Sequence, residues 1–378
     1  MHVMVMTESW QAALACIQSF GRRGHQVSVL CHPSESSPHA YSQFVSKRIA
    51  FDGWAEPREE RVKKLLSLLA RESVDLVIPV SDEDAHLLAL CKTHSPELTS
   101  IICPGLGNIE LARERGKTAD FCRQYDITMP ESYVVSDQKE LRQALEQLGF
   151  PAILKSSYSV GARGVGVIRS AQDIDKAASL MKDGKTLQVQ KFIQGDFVGS
   201  SGFAWKGRLM GSFSFRVNYE YSISGTPPYS FLETSDAPVR ILEKIVQETG
   251  WEGGVDLDFM QDKQGSLYLL EINPRLSGTI TLPFKLGHDL PRYYEAALDE
   301  TFDQLPPAPP PPAEPVLFIS VPDEVRLISR NPAESFPKSM EYRRQYRFYE
   351  SLFLDDAVLT RNQMTQFLQI AWVDPQSL

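Results

Sequence analysis

Two hydrophobic periods alternate along the first hundred residues. Short apolar runs at residues 3–6, 27–30 and 75–80 are typical of buried strands. Between them, apolar residues recur at helical spacing, as Trp10, Ala13, Leu14, Ile17 and Phe20, and again as Val62, Leu65, Leu66 and Leu69. Strand, helix and strand in this order predict a parallel sheet with right-handed crossovers.

Polar residues follow the last of these strands. Ser81, Asp82 and Glu83 come directly after the run 75–80. Ligands of parallel sheets collect at the carboxyl ends of the strands, so Asp82 and Glu83 are candidates for a site. Acidic residues are also favoured in the first turn of a helix, and a helix N-terminus at this point is the alternative.

A second pattern, of α+β type, follows a connecting region. The predicted helices span residues 136–148, 170–181 and 239–249. The predicted strands span residues 151–155, 165–168 and 186–193, a hairpin at 203–205 and 209–215 turned by Lys206 and Gly207, and a hairpin at 254–260 and 266–272.

Proline dominates residues 305–315 (LPPAPPPPAEP), which predicts extended, polyproline-like chain. This segment separates the main body from a tail at residues 316–378. The tail begins with a predicted strand at 316–321. A lid, an oligomer contact and a packing segment are all open as its role.

Composition narrows the class of protein. The chain has 378 residues, of which 42% are hydrophobic and 23% charged, as in a soluble globular protein. A formal net charge of -9 argues against a nonspecific nucleic-acid binder, which needs a basic surface. Neither a membrane-spanning run nor a signal peptide is predicted. Five cysteines without a CxxC pair fit a reducing cytoplasm, where we expect them as buried small hydrophobic residues.

The stretch 255–278 (VDLDFMQDKQGSLYLLEINPRLSG) is the most informative about chemistry. Asp258 in the first strand of the predicted hairpin, and Glu271 and Asn273 in the second, come together if the register pairs their faces. Carboxylate and amide oxygens in small number suit Mg²⁺, which completes its shell with water and substrate phosphates. Asp256 lies on the same face as Asp258 and could share or replace its role.

The alternative is a solvated hairpin with acidic residues in water. It does not explain Glu271, which sits inside the apolar run 267–272, where a carboxylate without a partner would be costly. We therefore favour the metal hypothesis. Arg275 follows two residues after Asn273, and a fixed guanidinium suits the charge on a transferring phosphoryl group.

A second candidate lies in residues 153–167 (ILKSSYSVGARGVGV). A predicted strand delivers Lys155, and a loop of small residues follows, whose backbone amides could approach phosphate oxygens closely. The lysine precedes the glycines, unlike in a Walker loop, and the loop leads into a strand rather than the helix of a dinucleotide fingerprint. A plain hairpin loop is the alternative.

With these motifs in this order, the chain resembles the ATP-grasp superfamily, in particular its carboxylate–amine ligase and carbamoyl-phosphate-synthase-like members. The most specific part is EINPRLSG, at residues 271–278. It begins in the hairpin of residues 254–260 and 266–272, which carries the candidate metal ligands and is called the metal hairpin below. The resemblance implies an N-terminal parallel α/β (pre-ATP-grasp) domain and two α+β lobes that clasp ATP. The divisions are residues 1–115, a small lobe with its linking helix at 116–195, a large lobe with the metal hairpin at 196–304, the linker 305–315 and the tail 316–378.

The resemblance also implies roles for residues. Lys117 corresponds to the first ATP lysine, Lys155 to the second, and Asp196 to a ribose-binding acid, and where this chain has Gln190 the family usually has Glu. The implied metal ligands are Asp258, Glu271 and Asn273, and the implied catalytic residues are Arg275 and Lys155. The implied ATP-binding set is Lys117, Lys155, Ser156, Gly161, Arg163, Gly164, Val165, Gln190, Lys191, Phe192, Ile193 and Asp196.

The function implied is that of an ATP-dependent ligase forming a C–N bond through an acyl phosphate, with ATP and with Mg²⁺, for which Mn²⁺ can substitute. Its expected partners are a small-molecule carboxylate and an amine, with an amino acid as the expected kind, and neither nucleic acid nor membrane; a homodimer is open. Arg216 is a candidate carboxylate clamp or a surface ion pair, and Ser277 and Gly278 lie where the acceptor would sit. The alternatives are a bicarbonate-dependent carboxylase that forms carboxyphosphate and a non-catalytic ATP-binding regulatory protein.

Overall fold

A computed structural model describes residues 1–6, 10–32, 38–156, 165–178, 181, 186–217, 229–233, 235–310, 312–356 and 359–361. Its N-terminal sheet contains four parallel strands, in the order β3-β2-β1-β4. They are β1 (His2–Met6), β2 (Gln26–Cys31), β3 (Val45–Ala50) and β4 (Leu76–Ile78). The parallel sheet predicted from the hydrophobic runs is confirmed. Strand β3 was missed because it is an edge strand whose middle positions are exposed polar residues.

Helices cover both faces of this sheet, and alternate residues of each strand serve the two sides. Val3 and Val5 face α1 (Trp10–Arg22), whereas Met4 and Met6 face α2 (Arg58–Arg71), α3 (Asp82–His94) and α4 (Leu106–Arg113). The same core that contains α1 continues into the large sheet described below, through Phe203 and Phe215. The N-terminal domain is therefore packed directly against the sheet that carries the metal hairpin.

A second, four-stranded sheet follows α5 (Arg115–Gln124) and has the order β5-β8-β6-β7. Its strands are β5 (Ser132–Val135), β6 (Ala152–Ser156), β7 (Val165–Ile168) and β8 (Leu187–Lys191), all antiparallel to their neighbours. Helices α6 (Gln138–Leu148) and α7 (Ile174–Ala178) cover one face, with Leu154 and Val189 beneath them. The opposite face carries Lys155 and Gln188.

The largest sheet has seven strands, in the order β13-β12-β9-β10-β11-β14-β15. It contains β9 (Gly195–Trp205), β10 (Arg208–Val217), β11 (Tyr229–Glu233), β12 (Gly253–Asp262) and β13 (Leu267–Asn273), with α8 (Ala237–Thr249) packed on one face. Both predicted hairpins are present, and Lys206 and Gly207 form the turn of the first with positive φ angles of 49° and 74°.

The C-terminal segment completes this sheet. After α9 (Thr281–Lys285) and α10 (Arg292–Asp299), strand β14 (Val316–Ile319) pairs with β11, and α11 (Val321–Arg330) and α12 (Pro332–Gln345) lead to β15 (Arg347–Glu350), parallel to β14. Part of the tail is thus a packing segment of the large sheet. A role of the tail as a lid or as an oligomer contact stays open. The domain boundaries given above stay predictions.

The five cysteines are free thiols. Cys16, Cys91, Cys103 and Cys122 are buried, as expected, while Cys31 is half-buried. Burial raises the pKa of the Cys91 and Cys103 thiols to about 12, so these thiols are unreactive at neutral pH. Over the part of the chain that is described, no helix combines the length and the apolar character needed to cross a bilayer.

Candidate functional site

The hairpin of β12 and β13 places four polar side chains in two facing pairs. Asp258 lies opposite Glu271, and Asp256 lies opposite Asn273. The Asn273 amide donates to Asp258 Oδ2 at 3.2 Å, and its distance to Asp256 Oδ2 is 3.5 Å. Asp256 and Asn273 are buried, and the other two are half-buried. The structure thus brings together the residues that were predicted as metal ligands.

These carboxylates repel one another in a poorly hydrated place. Burial, followed by the neighbouring charges of Asp256 and Glu271, raises the pKa of Asp258 well above its ordinary value. Burial raises the pKa of Asp256 to about 6, although Arg275 opposes the shift. A cation bound between these oxygens would remove the repulsion.

Arg275 leaves β13 on the same side as these carboxylates. Its Nη1 donates to Asp256 Oδ2 at 2.7 Å, and its Nε lies 3.4 Å from Asp82 Oδ1. Gly254 permits the close approach of this segment, because a Cβ there would lie 2.6 Å from the backbone nitrogen of Leu276. The predicted catalytic arginine is therefore held between the large sheet and the N-terminal domain.

Lys155 enters the site from the small sheet, on β6. It is 7% exposed and lies opposite Gln188 of β8. Burial lowers the pKa of Lys155 to about 8, while the negative charges of Glu271 and Asp258 act in the opposite direction and Arg115 adds to the lowering. Lys155 is therefore close enough to the metal hairpin to interact electrostatically with its carboxylates.

Arg115, at the first position of α5, is the second basic residue on this side. Its Nη1 donates to Gln188 Oε1 at 3.2 Å, and Glu271 favours its charged form, although burial lowers its pKa overall. Lys117 is exposed instead, and its ammonium bonds Glu110 at 2.7 Å and Glu114 at 3.1 Å. Two residues along a helix are about 200° apart, so only one of the two can face the hairpin. The structure places Arg115, not Lys117, at the site.

A cleft of about 320 Å³ opens beside these residues, between the N-terminal domain, α5 and β13. Both acidic and basic side chains line it. The lining residues are Arg58, Asp82, His86, Ile109, Glu110, Ala112, Arg113, Glu114, Arg115, Thr118, Met129, Gln188, Leu270, Glu271, Ile272 and Asn273. Glu271 and Asn273 thus face a space large enough for a small ligand.

Two segments of the chain match family models. Residues 120–198 match the ATP-grasp domain, and residues 224–319 match a family described as ATP-grasp in the biosynthetic pathway with Ter operon. These matches cover the small sheet with Lys155 and the hairpin with Glu271. The chain has an ATP-grasp fold.

Relatives of known function share this fold over different lengths. The carbamoyl phosphate synthase large chain of Thermotoga petrophila is 25% identical over 204 residues, which is 51% of this chain but only 18% of that protein. N5-carboxyaminoimidazole synthetase from Staphylococcus aureus superimposes with a TM-score of 0.65 at 17% identity, covering 88% of this chain and 86% of the other. L-amino acid ligase from Bacillus licheniformis gives 0.60 at 13% identity, covering 79% and 74%.

The segment that the ATP-grasp resemblance assigns to adenine lies at the end of β8. Gln190 is buried, and among the described residues its Nε2 has no hydrogen-bond partner. Lys191 and Phe192 are exposed, and Ile193 is half-buried. Asp196 is exposed and accepts a hydrogen bond of 2.5 Å from Arg216 Nη1.

The predicted substrate residues fall in two places. Arg216 bridges Asp196 and, through Nη2, Gln261 at 2.9 Å, which is the surface ion pair of the two alternatives. Ser277 is buried, and its backbone nitrogen donates to Ser201 at 3.1 Å. Gly278 lies against Gln11 of α1, whose Oε1 would be 2.8 Å from a Cβ at that position. The structure therefore does not bring Arg216 to the residues around Arg275.

Some predicted ATP-binding residues lie outside the description. Gly161, Arg163 and Gly164 are not among the described residues, nor is the segment 218–228. For Ser156 and Val165 only the backbone is described, at the ends of β6 and β7.

Asp82 belongs to the site although a helix N-terminus was the alternative offered for it. The N-cap of α3 is Ser81, which forms a capping box with Asp84, so the cap is present but Asp82 is not part of it. Its position after a parallel strand was the sequence feature that indicated a site. Arg115 had a weaker indication, since it is one of several basic residues in ARERGK.

Proposed function

We propose that this ATP-grasp protein is an ATP-dependent carboxylate–amine ligase, which forms a C–N bond through an acyl phosphate and releases ADP and phosphate. The observation that carries the proposal is the facing of Asp258 with Glu271 and of Asp256 with Asn273, with Arg275 at the strand exit. This arrangement gathers oxygen ligands for a cation and a fixed guanidinium at one place, as phosphoryl transfer requires.

The residues at this hairpin fit a magnesium ion. Asp258, Glu271 and Asn273 would hold it, with Asp256 as a further oxygen donor. Within the described residues, no three His, Cys, Asp or Glu side chains are grouped closely enough to hold a metal by themselves. Mg²⁺ is bound by few carboxylates and takes water and phosphate oxygens as its other ligands. When bound, Mg²⁺ would neutralise negative charge on the phosphates.

Three cationic side chains would act with it on ATP. Lys155 and Arg115 approach from the small sheet and α5, and Arg275 from the end of β13. A lysine about 3 Å from a phosphate oxygen is worth roughly 5 kcal/mol at an effective dielectric near 20, before desolvation. Several such charges are needed before an anionic carboxylate can approach the γ-phosphate.

The proposed reaction has two displacements. A carboxylate oxygen of the substrate attacks the γ-phosphorus, the bond to the β,γ-bridging oxygen breaks, and ADP leaves. The free amine then attacks the acyl carbon, the bond to the phosphate oxygen breaks, and phosphate leaves while the nitrogen loses a proton. Neither displacement requires a covalent bond to the protein.

Bicarbonate in place of the carboxylate is the second candidate. The carboxy group in the name of one similar protein, N5-carboxyaminoimidazole synthetase, supports it, whereas the name of the L-amino acid ligase supports an amino acid substrate. Because the chain spans only a small part of the carbamoyl phosphate synthase, that activity is not transferred whole.

The test is ADP release by the purified protein with Mg-ATP and pools of carboxylates and amines, beside an arm with bicarbonate alone. We expect release that requires both a carboxylate and an amine. Release with bicarbonate alone would replace the ligase by the carboxylase, and ATP binding without release in any arm would leave a non-catalytic ATP-binding protein.

The nucleotide site is tested with a matched pair of variants on α5. Arg115→Ala should weaken ATP binding by about 10- to 100-fold, the value of a charge-assisted hydrogen bond. Lys117→Ala, two residues away and exposed, should bind ATP almost as the wild type does. Calorimetry with Mg-ATP measures both, and the reverse pattern would restore Lys117 as the ATP lysine.

A further inference from the structure

Asp82 occupies the first turn of α3 without taking part in its cap. Ser81 accepts from the backbone nitrogen of Asp84 at 3.1 Å, and Asp84 Oδ2 accepts from the nitrogens of Ser81 at 3.0 Å and Val80 at 3.2 Å. The neighbouring Glu83 is also engaged elsewhere, with Arg113 at 2.6 Å. The first turn of the helix favours an acidic residue, but the cap does not use the carboxylate of Asp82.

The side chain of Asp82 points at the active site instead. It is 12% exposed, and its Oδ1 lies 3.4 Å from Arg275 Nε. That oxygen is shielded from solvent and has no hydrogen-bond donor among the described residues. A buried carboxylate oxygen in this state is costly unless a charge faces it, and the charge available here is Arg275.

Arg275 is thereby bracketed by carboxylates of two domains. Asp256 of the large sheet binds Nη1 at 2.7 Å, and Asp82 of the N-terminal domain faces Nε. Within the described residues, Nη2 makes no hydrogen bond, so this nitrogen is available to an anionic ligand. Two contacts on different edges of a planar guanidinium fix both its position and the direction of its plane.

We propose that Asp82 is a positioning residue, by which the N-terminal domain sets the orientation of Arg275 towards the transferred phosphoryl group. This inference rests on the proposed function and adds a residue to it. Asp82 acts through Arg275 and touches no reacting atom. Because an error of about 1 Å in a positioned group costs roughly 10²-fold in rate, the loss of Asp82 should be visible in turnover.

The experiment compares Asp82→Asn with Glu83→Gln as its matched control. Both replace a carboxylate by an amide of nearly the same shape on one helical turn. Asp82→Asn should lower kcat by about 10²-fold with little change in the KM for ATP, because the orientation of Arg275 matters mainly in the transition state. Glu83→Gln, whose carboxylate pairs with Arg113 and not with Arg275, should lower kcat far less than Asp82→Asn does.

A double-mutant cycle separates positioning from a general structural role. If Asp82 acts through Arg275, Asp82→Asn should reduce kcat far less in an Arg275→Lys background than in the wild type. Full multiplication of the two effects, or an Asp82→Asn enzyme as active as Glu83→Gln, would overturn the proposal.

The same cycle is measured in thermal unfolding, which needs no turnover. The melting temperature of the double variant should fall by less than the sum of the two single shifts, since both singles break one contact. Additive shifts would overturn the contact itself. A wild-type protein that releases no ADP with any substrate pool would instead overturn the proposed function, so the two failures are distinguishable.

Discussion

Two places in this molecule bury carboxylates beside an arginine, and they are built in opposite ways. In the C-terminal segment, Glu324 is 4% exposed and accepts four hydrogen bonds. They come from Tyr229 at 3.0 Å, Ser339 at 2.7 Å, and Arg343 at 2.7 and 2.9 Å. The single carboxylate of this cluster is therefore fully satisfied by hydrogen-bond donors.

At the metal hairpin, by contrast, several carboxylates share few hydrogen-bond donors. Asp82, Asp256, Asp258 and Glu271 are gathered around Arg275, with Lys155 nearby and the Asn273 amide as a further donor. Burial, followed by the charges of neighbouring groups, raises the pKa values of Asp82, Asp256 and Asp258. The difference teaches that the first cluster is complete in itself and holds α11 to α12 and β11, whereas the second leaves carboxylate oxygens for the cation that we propose.

The largest expected effect is at the arginine of the incomplete cluster. Arg275→Ala should lose about 10³- to 10⁵-fold in turnover, or at least roughly 4 kcal/mol of transition-state stabilisation, while ATP affinity stays nearly normal. Arg275→Lys should recover only part, because a point charge cannot make the bidentate contact. Turnover and calorimetry measure the two quantities.

Glu271→Ala is the contrasting variant for that prediction, since it should weaken metal and ATP binding together. Near-normal turnover of Arg275→Ala beside an inactive Glu271→Ala would make Arg275 a structural residue like Arg343.

The arginine of the complete cluster should affect stability only. Arg343→Met leaves Glu324 buried without its main counter-charge, so we expect a loss of about 3–5 kcal/mol in the free energy of unfolding. The folded fraction should keep its kcat. Denaturant unfolding and turnover below the melting range are the measurements, and Arg344→Met, next along the helix, is the control. A fall in kcat for the folded fraction would break the comparison by giving the C-terminal segment a catalytic role.

The smallest expected effect is a gain in stability rather than a loss of stability or activity. A carboxyl whose folded pKa is raised loses stability as pH rises from its unfolded value, 3.8 for Asp258, through its folded value. Without metal, Asp258→Asn should therefore melt several degrees above the wild type at pH 7, and the gap should close below about pH 4. The melting curves are recorded in a chelator. A less stable Asp258→Asn at pH 7 would mean that the apo cluster is satisfied.

Added Mg²⁺ should change the stability of the wild type and of Asp258→Asn to different extents. It should stabilise the wild type, because a ligand that binds only the folded state raises its stability. It should leave Asp258→Asn nearly unchanged, because that variant lacks one of the proposed ligands.

The sequence by itself determined the elements and the faces of the hairpin. The two-residue period of a strand decides that Asp256 and Asp258 share a side, as Glu271 and Asn273 do. The register continued from the short turn at residues 262–265 would set Leu270 opposite Asp258, and an irregularity between Asp258 and Phe259, seen only in the structure, sets Glu271 there instead. The parallel order of the first sheet followed from strand and helix alternation. Strands β3 and β11 were not predicted from the sequence. Strand β3 lacks a clear apolar pattern, and β11 lies far along the chain from its partner β14.

Only the tertiary structure decided which side chains from other elements reach that hairpin. Arg115 and Lys117 are equally basic in the sequence, and the rotation of α5 against β13 selects the first. The pairing of Asp82 with Arg275 depends on how the N-terminal domain packs against the large sheet. Periodicity fixes the direction of a side chain within its own element, whereas the neighbour it meets is set by the packing of elements far apart in the chain.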